Sequence, residues 1–245
     1  MFVGLSAAAL MVCADVDAQL PRVDTGAVKP VPVVVARYPL DGSVNDASGN
    51  GRHASLVGGS WTASADGTNP GALAFDGKTK LTIPANAAFD LKRFTVSLRV
   101  KTDFNAGGSE VTINGIKCRS YSLINSDGPG DLGLTIATCG GSSSGGAAFS
   151  MKGADGSARM VGYAFPIGTN PIRVNRNTWT EISVTYDGTT LRLSIDGVER
   201  ANKEAPLPAA PTGAIVIGSN FAGALDEVKF ATTMLRAPLV SSPRR

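Results

Sequence analysis

Histidine is almost missing from this chain: His53 is the only one among 245 residues. A Ser-His-Asp or Cys-His system would have that single imidazole as its base. His53 falls in a turn-rich loop, so it reads as structural rather than catalytic. Phosphate-binding loops, zinc spacings and dinucleotide fingerprints are absent. No dense Lys/Arg run occurs, and a formal net charge of only +3 excludes the electrostatic footprint of a nucleic-acid binder. No stretch of about 11 residues keeps apolar positions at i, i+3, i+4 and i+7, which excludes a helical architecture. The longest apolar run of the N-terminus, Val3 to Val12, is too short for a stable membrane span. No Asn-x-Ser/Thr sequon occurs, in keeping with a bacterial source.

What is present is alternation. Ile182, Val184 and Tyr186 alternate with Ser183 and Thr185, and Leu191, Leu193 and Ile195 alternate with Arg192 and Ser194. Period two puts each set on its own face of a pleated strand. Asp187-Gly188 and Asp196-Gly197 tolerate the positive φ of hairpin turns. The spacing predicts a half-buried antiparallel hairpin over Trp179 to Val198, the stretch around which the chain is arranged. Phe94 to Lys101 repeats the pattern. Shorter strands are predicted at Val33–Leu40, Ala72–Phe75, Lys80–Pro84, Val111–Ile113, Tyr121–Asn125, Leu132–Thr138, Phe149–Lys152, Met160–Phe165, Ala214–Ile217 and Ala224–Phe230. Asp76-Gly77 reads as one more hairpin turn. Cys139 to Ala147 reads as a flexible low-complexity loop, and the proline-bearing stretch after Val198 as another loop. About a dozen short strands with 29 glycines and 14 prolines define an all-β fold, an antiparallel two-sheet β-sandwich of the jelly-roll kind.

Residues 1–18 read as a signal peptide, the apolar run being followed by the small-x-small pattern Val16-Asp17-Ala18. No Lys or Arg precedes Arg22, so the usual basic start of such a signal is missing. A rival reading makes Cys13 a lipidated cysteine, although Val12 is a poor residue before it. Residues 19–32 form a proline-containing linker, 33–232 the domain and 233–245 a basic tail. The expected location is secreted, periplasmic or at the cell surface. Cleavage leaves Cys118 and Cys139 in an oxidising compartment, where a disulfide between them would contribute about 3 kcal/mol. Two free buried thiols are the alternative.

Three stretches, taken together, resemble one family. They are Tyr38-Pro39-Leu40-Asp41-Gly42 running to Gly51, then Ala74-Phe75-Asp76-Gly77 through Phe94 to Leu98, then Trp179 through Asp196-Gly197, closed by Ala224-Leu225-Asp226-Glu227-Val228. Their order and spacing resemble the laminin-G-like branch of the concanavalin A-like lectin/glucanase superfamily over Ala36 to Phe230. Arg99 stands where the family usually has Trp, and the Asp103–Ala147 region is long. The resemblance implies an exported, non-catalytic carbohydrate-binding or surface-recognition module, whose partner is a glycan or a cell-surface or extracellular protein. A protein-binding or structural adhesion module is the alternative, and a diverged glycoside hydrolase a third reading. Hydrolases of this fold carry Glu-x-Asp-x-x-Glu on one strand. No such run is present, and Asp226-Glu227, being adjacent, would face opposite sides of a strand.

Because first and last strands pair in this fold, the resemblance also brings Asp226 close to the first loop. A structural Ca²⁺ is expected there on Asp46 and Asp226, with carbonyls near Asn50 and His53. An Asx turn at Asp46 is the simpler alternative. For a sugar, an aromatic plate beside hydrogen-bonding groups is needed. Trp61, Phe104, Tyr121 and Tyr163 are the candidate plates, with Arg99 and Asn125 as polar neighbours; core or loop packing is the alternative for each.

Overall fold

The alternation resolves into two stacked antiparallel sheets. The computed structural model describes residues 30–113, 115–126, 132–162, 172–211 and 213–235. The signal peptide, most of the linker and basic tail, and Tyr163 lie outside them. In order the strands are β1 (Pro30–Tyr38), β2 (Ser55–Val57), β3 (Ser60–Thr62), β4 (Ala72–Asp76), β5 (Lys80–Ile83), β6 (Phe94–Thr102), β7 (Ser109–Ile113), β8 (Ile116–Ser126) and β9 (Gly133–Cys139). They continue as β10 (Ser144–Lys152), β11 (Ala158–Gly162), β12 (Arg173–Asn175), β13 (Trp179–Tyr186), β14 (Thr190–Ile195), β15 (Val198–Glu204), β16 (Ile215–Ile217) and β17 (Ala222–Leu235). One sheet has the order β15-β14-β13-β6-β17-β4-β3, with β1 paired to β17. The other has the order β11-β10-β9-β8-β16-β5-β2, with β12 on β10 and β7 on β8. Pro30–Met234 packs as one compact unit.

The central hairpin forms as its pattern requires. Ile182 faces Ile195, Val184 faces Leu193 and Tyr186 faces Leu191 across β13 and β14. On the other side of β13, Ile182 meets Leu98 and Val184 meets Val96 of β6. These side chains are buried in one cluster with Leu123, Leu134, Ile136 and Ile217 of the facing sheet. Each such burial is worth about 1.5–3 kcal/mol relative to exposure. Phe94 and Phe149 meet across the two sheets with ring centroids 5.7 Å apart.

Three local readings change. Ser144 to Ala147 is a buried strand, not a flexible loop. A Cβ on Gly145 would lie 2.6 Å from Ile136 Cγ2 and 2.9 Å from the Ala137 carbonyl oxygen, so glycine is there for close approach, not for freedom. Asp76-Gly77 does not close a hairpin, because β4 and β5 belong to different sheets. The loop reading after Val198 holds for the prolines but not for Val198–Glu204, a strand whose side chains are nearly all exposed. That makes β15 a charged edge, and its sequence carries no inward face to betray it. At the opposite flank, Gly58 (φ 77) and Gly59 (φ 80) join β2 to β3. Thus β2 ends one sheet and β3 ends the other.

Candidate functional site

Two charged regions stand out. The first is the seam where the first and last strands meet. Asp46 organises the loop after β1: its Oδ1 accepts the amides of Arg37 (3.0 Å) and Ser48 (2.9 Å), and its Oδ2 accepts that of Arg52 (3.0 Å). Burial pushes this carboxyl up, but the hydrogen bonds from Ser48 and the three amides outweigh it and hold it below the usual range. His53 Nδ1 accepts the Asp46 amide at 3.2 Å. The Val35 carbonyl accepts from Ser48 Oγ, Asn50 Nδ2 and the Arg52 guanidinium.

Calcium asks for six to eight oxygens turned toward one point. Here the Asp46 oxygens are turned toward amides, and the Arg52 cation reaches into the same loop. Asp226 answers to different neighbours, chiefly Glu227, then Asp41 and Arg99. These residues do not fit the expected calcium site. The Asx-type alternative at Asp46 is what the hydrogen bonds describe.

The last strand holds a further correction. Asp226 pairs with Arg99, and then Lys229 pairs with Ser97, so β17 carries one extra residue against β6. Glu227 takes that bulge at φ 50. Strict alternation breaks there, and Asp226 and Glu227 do not point to opposite faces as a regular strand would require. Glu227 turns to Arg37, accepting from Nε at 3.0 Å and from the terminal nitrogen at 2.7 Å. This guanidinium–carboxylate fork ties β1 to β17. Asp226 is 4% exposed. Burial, and then the Glu227 charge, push its carboxyl up to about 6. Arg99 stands between Glu181 of β13 and Asp226 of β17. A shallow groove of about 350 Å³ runs over Arg37, Arg99, Glu181, Glu227 and Lys229.

The second region is a cleft of about 540 Å³ beside the disulfide. Cys118 and Cys139 are cross-strand partners on β8 and β9 and are bonded to each other. Cys118 points inward, so Lys117 and Arg119 on either side of it point outward. Both line the cleft, as do Arg176 and the turn Gly140–Ser142. Thr138 Oγ1 ties that turn down by donating to the carbonyls of Ser142 (3.1 Å) and Ser144 (3.0 Å). Arg176 donates to Asn105 Oδ1 at 2.9 Å. The floor is Phe104, whose ring lies 5.4 Å from that of Tyr121. Glu110, opposite Arg119 in register, is the only carboxylate among the lining residues. Lys117, Arg119 and Arg176 form no ion pair with a described residue.

The expected sugar-binding residues are not brought together. Tyr121 is no surface plate: it is 1% exposed and its hydroxyl donates to the Phe104 carbonyl at 3.0 Å. Its place is under the cleft, holding Phe104. Trp61 is 37% exposed on β3, at the edge of the β6 sheet. Arg99 sits in the charged seam. Asn125 is exposed on β8 of the other sheet, between Val216 and Gly133. Of the described candidates, only Phe104 lines the cleft. Reading from the sequence missed Lys117, Arg119 and Arg176, although Lys117 and Arg119 at i and i+2 around a bonded cysteine were a signal that they share a face.

The architecture is that of a two-sheet antiparallel β-sandwich. The chain belongs to the Laminin_G_3 family of the concanavalin A-like lectin/glucanases superfamily, which it matches over residues 75–241. No curated protein matches the chain in sequence. Among solved structures it is similar to the binding domain of Paraclostridial Mosquitocidal Protein 1, at 16% identity and a TM-score of 0.59, covering 84% of this chain and 49% of that one. It is also similar to domain 4 of AbnA, a GH43 extracellular arabinanase from Geobacillus stearothermophilus, solved with arabinotriose: 16% identity, TM-score 0.53, 84% of this chain and 95% of that one. The binding domain of Botulinum Neurotoxin DC, solved with SialylT, aligns at 14% identity and a TM-score of 0.54 over 81% of this chain and 47% of its own length. This chain thus spans about half the length of the toxin domains and nearly all of the arabinanase domain. At these identities the likeness speaks for the fold. No helix among the described residues is long and apolar enough to cross a membrane.

Proposed function

We propose that this chain is a non-catalytic recognition module that binds glycans, and that the cleft beside the disulfide is where it does so. The observation that carries the reading is the cleft itself: polar and charged side chains converge on a tied-down turn over a rigid aromatic floor, and Glu110 is the only carboxylate among its described lining residues. Glycoside hydrolysis needs a pair of carboxyl groups facing one substrate. The carboxyl held nearest neutrality, Asp226, is shut into the seam instead. The GH43 arabinanase domain solved in complex with arabinotriose supports the reading, since this chain covers 95% of that domain; the neurotoxin domain solved with SialylT is similar over 47% of its own length. The disulfide supports a location outside the reducing cytosol. The apolar N-terminal run supports export by a signal peptide.

The test is a glycan array probed with the purified chain, followed by titration of the best ligand against Arg119→Gln. Binding that falls several-fold in the variant supports the cleft. A chain that captures no glycan, yet binds a surface protein, makes this an adhesion module instead. Release of reducing sugar from any bound glycan would make it an enzyme.

A further inference from the structure

We infer that the cleft selects glycans bearing carboxylate or sulfate groups, an inference that rests on the cleft being the glycan site. Its lining holds three cations, Lys117, Arg119 and Arg176, against one carboxylate, Glu110. The whole chain has a formal charge of only +3, so an excess of this size is concentrated at one mouth. Other exposed cations, Arg200 and Lys203 among them, are also in no ion pair with a described residue; what sets Lys117, Arg119 and Arg176 apart is that they gather on one cleft, while three cations elsewhere are paired within the fold. Arg37 is forked onto Glu227, Lys92 lies 2.7 Å from Asp90, and Arg192 is bridged to both Asp187 and Glu199. The cleft cations have no such partner among the described residues.

Two of them are held in place without being neutralised. Arg176 donates to Asn105 Oδ1, and Arg119 donates to the Gly107 carbonyl at 3.3 Å. Neutral acceptors orient a guanidinium and leave its charge to attract an anion. A planar fork of N–H donors suits a carboxylate or a sulfate ester better than a neutral hydroxyl. The aromatic side of sugar recognition is weak here, because Phe104 is almost covered. A neutral ring would find no exposed plate to stack on. The acidic group of the sugar, not its ring face, is therefore what the cleft reads.

The experiment uses the full chain and three probes of matched length: an oligogalacturonate for carboxylate, a dextran sulfate oligosaccharide for sulfate, and neutral dextran. Calorimetry at low salt is expected to give at least about tenfold tighter binding for one or both anionic probes, weakening as salt is raised. Which of the two binds identifies the acid group. Lys117→Gln with Arg119→Gln should abolish the preference. The control, Arg200→Gln with Lys203→Gln, removes the same charge from exposed positions of β15 and should leave it intact. Melting curves of each variant establish that the fold persists. Equal affinity for neutral dextran overturns this inference and leaves the glycan-binding reading standing. So does an equal loss in the control pair, which would mean diffuse attraction. If none of the three probes binds but a neutral glycan on the array does, only the acidic selectivity falls. If no glycan of any kind binds, the underlying reading falls with it.

Discussion

Along the seam, Arg37 is forked onto Glu227, and Arg99 lies between Glu181 and Asp226; at the cleft, Lys117, Arg119 and Arg176 share the single carboxylate Glu110. The same residue types do different work in the two places. In the seam, Arg37 is matched by Glu227, so what that pair leaves is geometry: the first strand is pinned to the last. Partly exposed pairs of this kind contribute little energy each, but a fork fixes direction as well as distance. At the cleft Arg119 and Arg176 meet only neutral acceptors, and their charge is left for something outside the fold. Unpaired charge gathered on one cleft is a better pointer to function than unpaired charge by itself.

The largest effect that would break this contrast is at Asp46. Asp46→Ala leaves three amides without their acceptor and is expected to cost about 3–5 kcal/mol, read as a lower midpoint in chemical denaturation. Ligand binding by whatever still folds should be unchanged. Next comes the disulfide. Replacing Cys118 and Cys139 by Ala is expected to cost about 3 kcal/mol through the loop it closes and also to weaken ligand binding, since the bond sits in the cleft wall. Stability loss without any loss of binding would separate the bridge from the site.

A smaller effect concerns pH. The Asp226 carboxyl titrates at about 6 in the fold against an ordinary 3.8. Between those values the folded chain holds more protons than the unfolded one, so this group makes stability fall as pH rises through about 4 to 6. Asp226→Asn should flatten that slope and raise the melting temperature at pH 8 by about 2–4 °C, the shift of about 1 kcal/mol in a domain of this size. The smallest effect belongs to the exposed fork. Arg37→Gln should cost no more than about 1 kcal/mol and leave binding of an anionic glycan untouched. If it weakens that binding as much as Arg119→Gln does, the distinction between the two regions is lost.

The sheets were legible because their signal is local. Val96, Leu98, Ile182 and Val184 alternate with polar residues, and Asp187-Gly188 turns the chain within two positions. Gly145 was misread because composition does not distinguish a glycine that must move from one that must fit. The bulge at Glu227 was hidden because Leu225, Asp226, Glu227 and Val228 read as an ordinary strand until β6 fixes the register. A tyrosine between Ser120 and Ser122 has no sequence mark of burial, so Tyr121 reads both as a plate and as packing until the fold buries it. The cleft was hidden for a different reason. It gathers Phe104, Lys117, Thr138 and Arg176 from separate strands and turns, and no spacing in the chain announces that they meet.

The glycine pair between β2 and β3 has one more consequence. It lets a single short connection close the flank of both layers, each with a strip of only three residues. A foreign chain seeking to extend either layer would find almost no backbone to zip onto. The exposed Val57 and Trp61 therefore sit on edges too short to template a partner, and lengthening either strip by a few apolar residues would remove that protection.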